Sequence, residues 1–199
     1  MSGRARKLEN LERVEVTDRA QWRVWLKKHH GRTEGIWLVT WKKATPSKHL
    51  PYTAIVEEAL SFGWIDSLPR KLDEERTMLY ISPRKPESVW SRLNKERIVV
   101  LEDAGLMTEA GRTKIEAAKK DGTWPILDAA EALEMPEDLV NALAMDRTAK
   151  KHFDAFPASA RKYILQWIGS ARTNGTRTTR IARAVALAAR NIRAGMRRP

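Results

Sequence analysis

The stretch WIDSLPRKLDEERTMLYIS, residues Trp64–Ser82, decides the fold. It holds two extended runs on either side of Asp73-Glu74. In the second run Leu79 and Ile81 alternate with Met78 and Tyr80, a period of two that gives a strand two different faces. The expectation is a hairpin, with strands over 64–71 and 76–82 and a turn at Asp73-Glu74. If 64–67 is extended, Trp64 and Asp66 share one face and Ile65 and Ser67 point the other way.

Working outward, Gly63 closes a helix from about Tyr52 to Phe62, whose Ile55, Ala59 and Phe62 face inward while Glu57 and Glu58 lie elsewhere. Before it, GIWLVTWKK is almost continuously apolar and reads as a central strand. Thr17 or Asp18 caps an earlier helix, with Trp22, Trp25 and Leu26 on its apolar face, and Val14 and Val16 suit a short opening strand. After the hairpin, Ser88 or Ser91 starts a helix to about Asp103, with Leu93, Val100, Leu101 and Ala104 inward. Thr108 caps another helix, to Lys120. Beyond Trp124 only helical patterns appear: one entered at Pro136, one with Phe153 and Phe156, one opened by Pro157, and a last one capped by Thr176. The expected fold class is α+β: a small, mostly antiparallel sheet with helices packed on it, then a C-terminal helical module. The expected division is 1–124 and 125–199, the second part packed on the first.

Charge is distributed unevenly. The chain has 37 Lys and Arg against 25 Asp and Glu, a net charge of +12. The last acidic residue is Asp154, and the 45 residues after it are strongly basic. On the final helix Ile181, Val185, Ala188 and Ile192 share a face, and Arg183, Arg190 and Arg193 oppose it. Arg177, Arg180, Arg183, Arg190 and Arg193 are therefore candidates for contact with nucleic-acid phosphates; a solvated face of an amphipathic helix is the alternative. No apolar run approaches the roughly 18 residues that a membrane span needs. The first residues, MSGRARKLENLERVEV, contain no apolar leader, so the expected location is cytoplasmic.

The chain has no cysteine, which removes thiolate catalysis, disulfides and zinc–thiolate sites. Its four histidines show no metal-ligand spacing, and no glycine-rich phosphate loop or nucleophile elbow is present. No metal, cofactor or catalytic residue is thus assigned. Two stretches can carry a ligand. In the first, Trp64 and Asp66, with Arg70 and Asp73 further along, offer an indole wall beside carboxylates; ordinary packing and turn formation are the alternative. In the second, SPRKPESVWSRLNKER, a proline-fixed loop runs into a helix N-terminus, where backbone N–H groups with Arg84, Lys85, Ser88 and Ser91 suit an anion. Asn94 and Arg97 share one helix face, and Trp90 is a further ligand candidate; ordinary capping with an exposed basic loop is the alternative.

EEALSFGWIDSLPRKLDEER, SPRKPESVWSRLNKER, GLMTEAGRTKIEAAKKDGTW and TRTTRIARAV together resemble the bacterial YdeI/OmpD-associated, or bacteriocin-protection, family. The resemblance runs from about Trp22 to the last helix. It implies a role in resistance to antimicrobial peptides and an association with an outer-membrane porin, with some members acting in the envelope. Ser61 stands where many members carry cysteine.

The leading expectation is a non-enzymatic binding protein of the stress or peptide-resistance type. Its groove, between Trp64–Asp66 and Arg84–Arg97 and with Trp90 converging on it, would take an anionic or polar ligand or a protein segment. One alternative is nucleic-acid binding through the C-terminal helices. The other is an enzyme with Asp66 or Asp73 as general base and Arg84 as anion clamp.

Overall fold

The computed structural model describes residues 8–195. The tail residues Arg197 and Arg198 lie outside them. Contacts divide the chain into two compact units, 1–88 with 93–123 and 89–92 with 124–199.

The first unit is built on a four-stranded sheet: β1 (Arg13–Glu15), β2 (Ile36–Trp41), β3 (Trp64–Lys71) and β4 (Arg76–Pro83), in the order β1-β2-β4-β3. Only β1 and β2 are parallel, and the helix between them, α1 (Arg19–His29), supplies the crossover that such a pair requires. Asp18 caps it, accepting from the Gln21 amide at 2.9 Å. β3 and β4 form the expected hairpin, with Asp66 opposite Ile81. Its strand parity sends Leu79 and Ile81 to one face and Met78 and Tyr80 to the other. The first face packs on Trp22 and Leu26 of α1 and on Ile55 and Ala59 of α2 (Tyr52–Ser61). Each large aliphatic side chain there stabilises the fold by about 1.5–3 kcal/mol through removal from water. The buried Trp22 indole keeps its hydrogen bond, donating to the Ile55 carbonyl at 3.1 Å.

Glu58, expected away from the inner face, is only 1% exposed. Burial is tolerated because two arginines from α1 meet it, Arg19 at 2.6 Å and Arg23 at 2.7 Å.

α3 (Arg92–Asp103) corrects the expected inward face. Ile98 and Leu101 are buried, but Leu93 and Val100 are 54% and 65% exposed and Ala104 is exposed too. Four consecutive apolar residues, Ile98–Leu101, blur the helical period, so the sequence cannot choose the face. α4 (Glu109–Lys120) starts at Thr108, whose hydroxyl donates to the Ser61 carbonyl at 2.6 Å. Gly111 permits this approach: a Cβ there would lie 2.4 Å from the Ser61 oxygen. Gly63 has φ +74°, a left-handed conformation open to glycine, and it turns α2 into β3.

The second unit contains α5 (Asp128–Glu131), α6 (Glu137–Ala144), α7 (Arg147–Ala155), α8 (Ala158–Gly169) and α9 (Asn174–Ala189). Its core joins Leu139, Leu143, Phe153, Ile164, Ile168 and Ile181. The cap of α9 is Thr173 and not Thr176: the Thr173 hydroxyl accepts from the Thr176 amide at 3.2 Å. The Asn174-Gly175 pair, ordinarily a turn signal, is thereby drawn into the first turn of the helix. Ile192 and Arg193 lie beyond the end of α9. Among the described residues no helix is long and apolar enough to cross a membrane. The chain is α+β, as its hairpin implied.

Candidate functional site

The site grows from the irregular edge of the sheet. β3 is an edge strand, and its register shifts between Asp66 and Pro69. One extra residue there makes a bulge, which re-aims side chains and is common beside binding sites. Pro69 fits an edge, where a missing N–H costs no ladder bond.

Asp66 accepts a hydrogen bond from the Tyr52 hydroxyl at 2.7 Å. Burial first, then the bond and charge of Asp66, push the Tyr52 phenol up to about 12, with Arg97 acting in the opposite direction. Arg84 is only 3% exposed, and its amide donates to the Gly63 carbonyl at 2.9 Å. Burial pulls the Arg84 guanidinium down to about 10, and the negative charge of Asp66 opposes that shift. Arg97 donates to the Asn94 side-chain oxygen at 3.2 Å. Asp66, Arg84, Asn94 and Arg97 thus belong to one electrostatic neighbourhood in the first unit. Tyr52 joins them, and sequence reasoning missed it; its one signal was its position at the start of α2, after the turn-rich loop.

The other expected residues have structural work. Trp64 is fully buried, donates to the His30 carbonyl at 3.0 Å and meets Trp25 edge-on at 5.8 Å. Arg70 lies over Trp37, with 5.0 Å between guanidinium and ring. Asp73 is exposed and organises the hairpin turn, accepting from the Glu75 and Arg76 amides at 3.0 and 2.6 Å. The Arg76 side chain and these amides hold the Asp73 carboxyl below its usual range. Asp66 and Asp73 stand seven residues apart along one extended arm, about 20 Å at strand rise, so they cannot serve one reaction centre together. Ser88 accepts from the Lys85 amide at 3.1 Å and closes the proline loop. Trp90 is buried in the second unit against Trp124, with ring centroids 5.1 Å apart, and Ser91 belongs to the same short segment. Neither Trp64 nor Trp90 can therefore present an indole wall. Ser61 is fully buried, and its hydroxyl donates to the Glu57 carbonyl at 3.0 Å.

A groove of about 1180 Å³ opens on the first unit. The loop His30–Gly35, the bulge residues Ser67 and Leu68, the segment Ser82–Pro86 and Lys114 of α4 line it. Among the described residues its cations are Arg32, Arg84, Lys85 and Lys114, and Glu34 is the sole carboxylate in its lining. Arg32 is paired with Glu12, whereas Lys85 and Lys114 are exposed. A smaller pocket of about 440 Å³ holds Asp66 and Tyr52 with His49, Leu50 and Thr77. His49 Nδ1 lies 2.8 Å from the Trp41 carbonyl. That oxygen can only accept, so Nδ1 carries the proton.

The arginines of α9 and of the residues that follow it divide. Arg177 forms a two-pronged pair with Asp138 at 2.6 and 2.9 Å. Arg180 donates to the Trp167 carbonyl and the Ser170 hydroxyl at 2.5 and 2.9 Å. Arg183, Arg190 and Arg193 are exposed.

Residues 14–114, just over half of the chain, match the family described as Domain of unknown function (DUF8412). The chain belongs to the DUF8412 family. In this DUF8412 protein, residues 132–191 match a second family, described as Bacteriocin-protection, YdeI or OmpD-Associated. The resemblance seen in the sequence is therefore supported by its C-terminal part. The hairpin and the groove lie within the DUF8412 match. No curated protein and no solved structure matches the chain.

Proposed function

We propose that this DUF8412 protein is a non-enzymatic binding protein that holds an anionic ligand in the first-unit groove. The observation that carries the reading is the buried guanidinium of Arg84 in a wall that also presents Lys85 and Lys114. A desolvated cation acts on an anion with far less screening than a surface lysine does. The exposed lysines supply attraction at longer range. The name of the second family, Bacteriocin-protection, supports a role in peptide resistance or stress. With a net charge of +12 the chain repels cationic peptides, which argues against direct sequestration of the peptide itself.

Calorimetric titration of the full chain with pyrophosphate and with citrate tests the reading. Saturable binding at low salt should weaken as salt rises, and the double variant Lys85→Glu/Lys114→Glu should lose at least tenfold in affinity. Absence of binding by either probe, or equal binding by the double variant, would overturn it.

A further inference from the structure

The second unit carries a pocket of different character. It has a volume of about 540 Å³, within the range of small-molecule sites. Its lining is chiefly apolar and includes Ile126, Leu127, Met135, Tyr163, Leu165 and Trp167. Ile126 and Tyr163 remain 52% and 43% exposed. Large side chains left open around one concavity mark a surface that gains by being covered.

Charge decides what covers it. Trp167 also borders a second concavity of about 410 Å³, lined by Gly175, Thr176, Thr179, Arg180 and Arg183. The Arg180 guanidinium stands 5.4 Å from the Trp167 ring, and Arg183 is exposed. Among the described residues no carboxylate lines this second concavity, and Glu134 is the sole one lining the first. Arg177 borders the apolar pocket, but Asp138 already balances its charge. The two hollows therefore form a polarised pair: an apolar one, then a tryptophan, then a cationic one with two threonine hydroxyls.

We propose that this pair binds a soluble anionic amphiphile of the fatty-carboxylate class. Its hydrocarbon chain lies among Ile126, Met135 and Leu165. Its head group passes Trp167 to reach Arg180 and Arg183. This site is independent of the groove in the first unit, and either can fail without the other.

Calorimetry on the full chain with octanoate, decanoate and laurate, each below its micelle threshold, tests the proposal. Affinity should rise with chain length, by up to about fourfold per methylene, the factor expected for burying one CH₂. Dodecanol should bind at least tenfold more weakly than laurate. Arg183→Glu should weaken laurate about tenfold and leave dodecanol unchanged. Gly169→Phe should weaken both; Gly169 borders the pocket and a Cβ there meets nothing within 4 Å, so a side chain can start there without a clash. Circular dichroism checks that both variants are folded. Non-saturable binding, affinity independent of chain length, laurate binding untouched by both variants, or capture by anionic lipid vesicles alone would each overturn the proposal.

Discussion

The arginines of α9 and the cations of the first-unit groove carry the same charge but are differently committed. Arg177 is spent on a carboxylate, where it holds neighbouring helices, while a helix-end carbonyl orients the Arg180 guanidinium without neutralising its charge. Arg19 and Arg23 are likewise spent on Glu58. Lys85 and Lys114 stand exposed around a concavity, beside a buried guanidinium. A sequence counts charges, but function depends on which of them remain available to an outside molecule. The most basic segment of a chain need not be its best anion site.

Committed charges should show themselves in stability, available ones only in binding. Glu58→Ala should have the largest effect. It strips a carboxylate that is 1% exposed from two arginines, and should cost about 2–3 kcal/mol, reduced because those arginines reach solvent. Urea denaturation reads this directly; a loss below about 0.5 kcal/mol would make those arginines as idle as surface ones.

Next comes the Tyr52–Asp66 contact. Spectrophotometric titration should find one tyrosine ionising near 12, and Asp66→Asn should lower that value without restoring the ordinary 10, since burial is the larger cause. The folded value lies above the unfolded one. The stabilisation is therefore complete below pH 10 and disappears as pH rises from about 10 to 12.

The Arg177–Asp138 pair is more exposed, so Arg177→Ala should cost only about 0.5–1 kcal/mol at neutral pH. Arg177 holds the Asp138 carboxyl below its usual range. That contribution is present above the unfolded pKa and fades as acid takes the pH down through the folded one, so the variant and its parent should converge in acid urea melts. At the small end, Arg183→Ala should change stability by less than about 0.5 kcal/mol. A larger loss would place Arg183 with the committed arginines and weaken its role as a head-group contact.

Much of the fold was legible because local signals agreed. Alternation at Met78–Ile81, the stop at Gly63 and the cap at Thr108 each matched the observed element. The inner face of α3 was not legible, since Ile98–Leu101 offers apolar residues on every side. The candidate site was less legible. Of the expected residues, Arg84 lines the groove and Asp66 the smaller pocket, whereas Trp64 and Trp90 are buried; an indole beside charged residues looks alike whether it packs inward or faces a ligand. Tyr52 and Lys114 were missed because long-range contact leaves no mark in local spacing. The close approaches at Gly63 and Gly111 that bring α4 to the groove are visible only once the chain is folded.

The bulged, proline-bearing edge at β3 has a further consequence for how the protein can associate. The sheet ends on one side at β1, three residues long, and on the other at a strand whose ladder is broken between Asp66 and Pro69. Neither margin offers the long, regular row of backbone donors and acceptors that an incoming strand would need. Recruitment by strand addition is therefore disfavoured, and so is edge-to-edge polymerisation through this sheet. A partner of this sheet would have to recognise side chains rather than backbone margins.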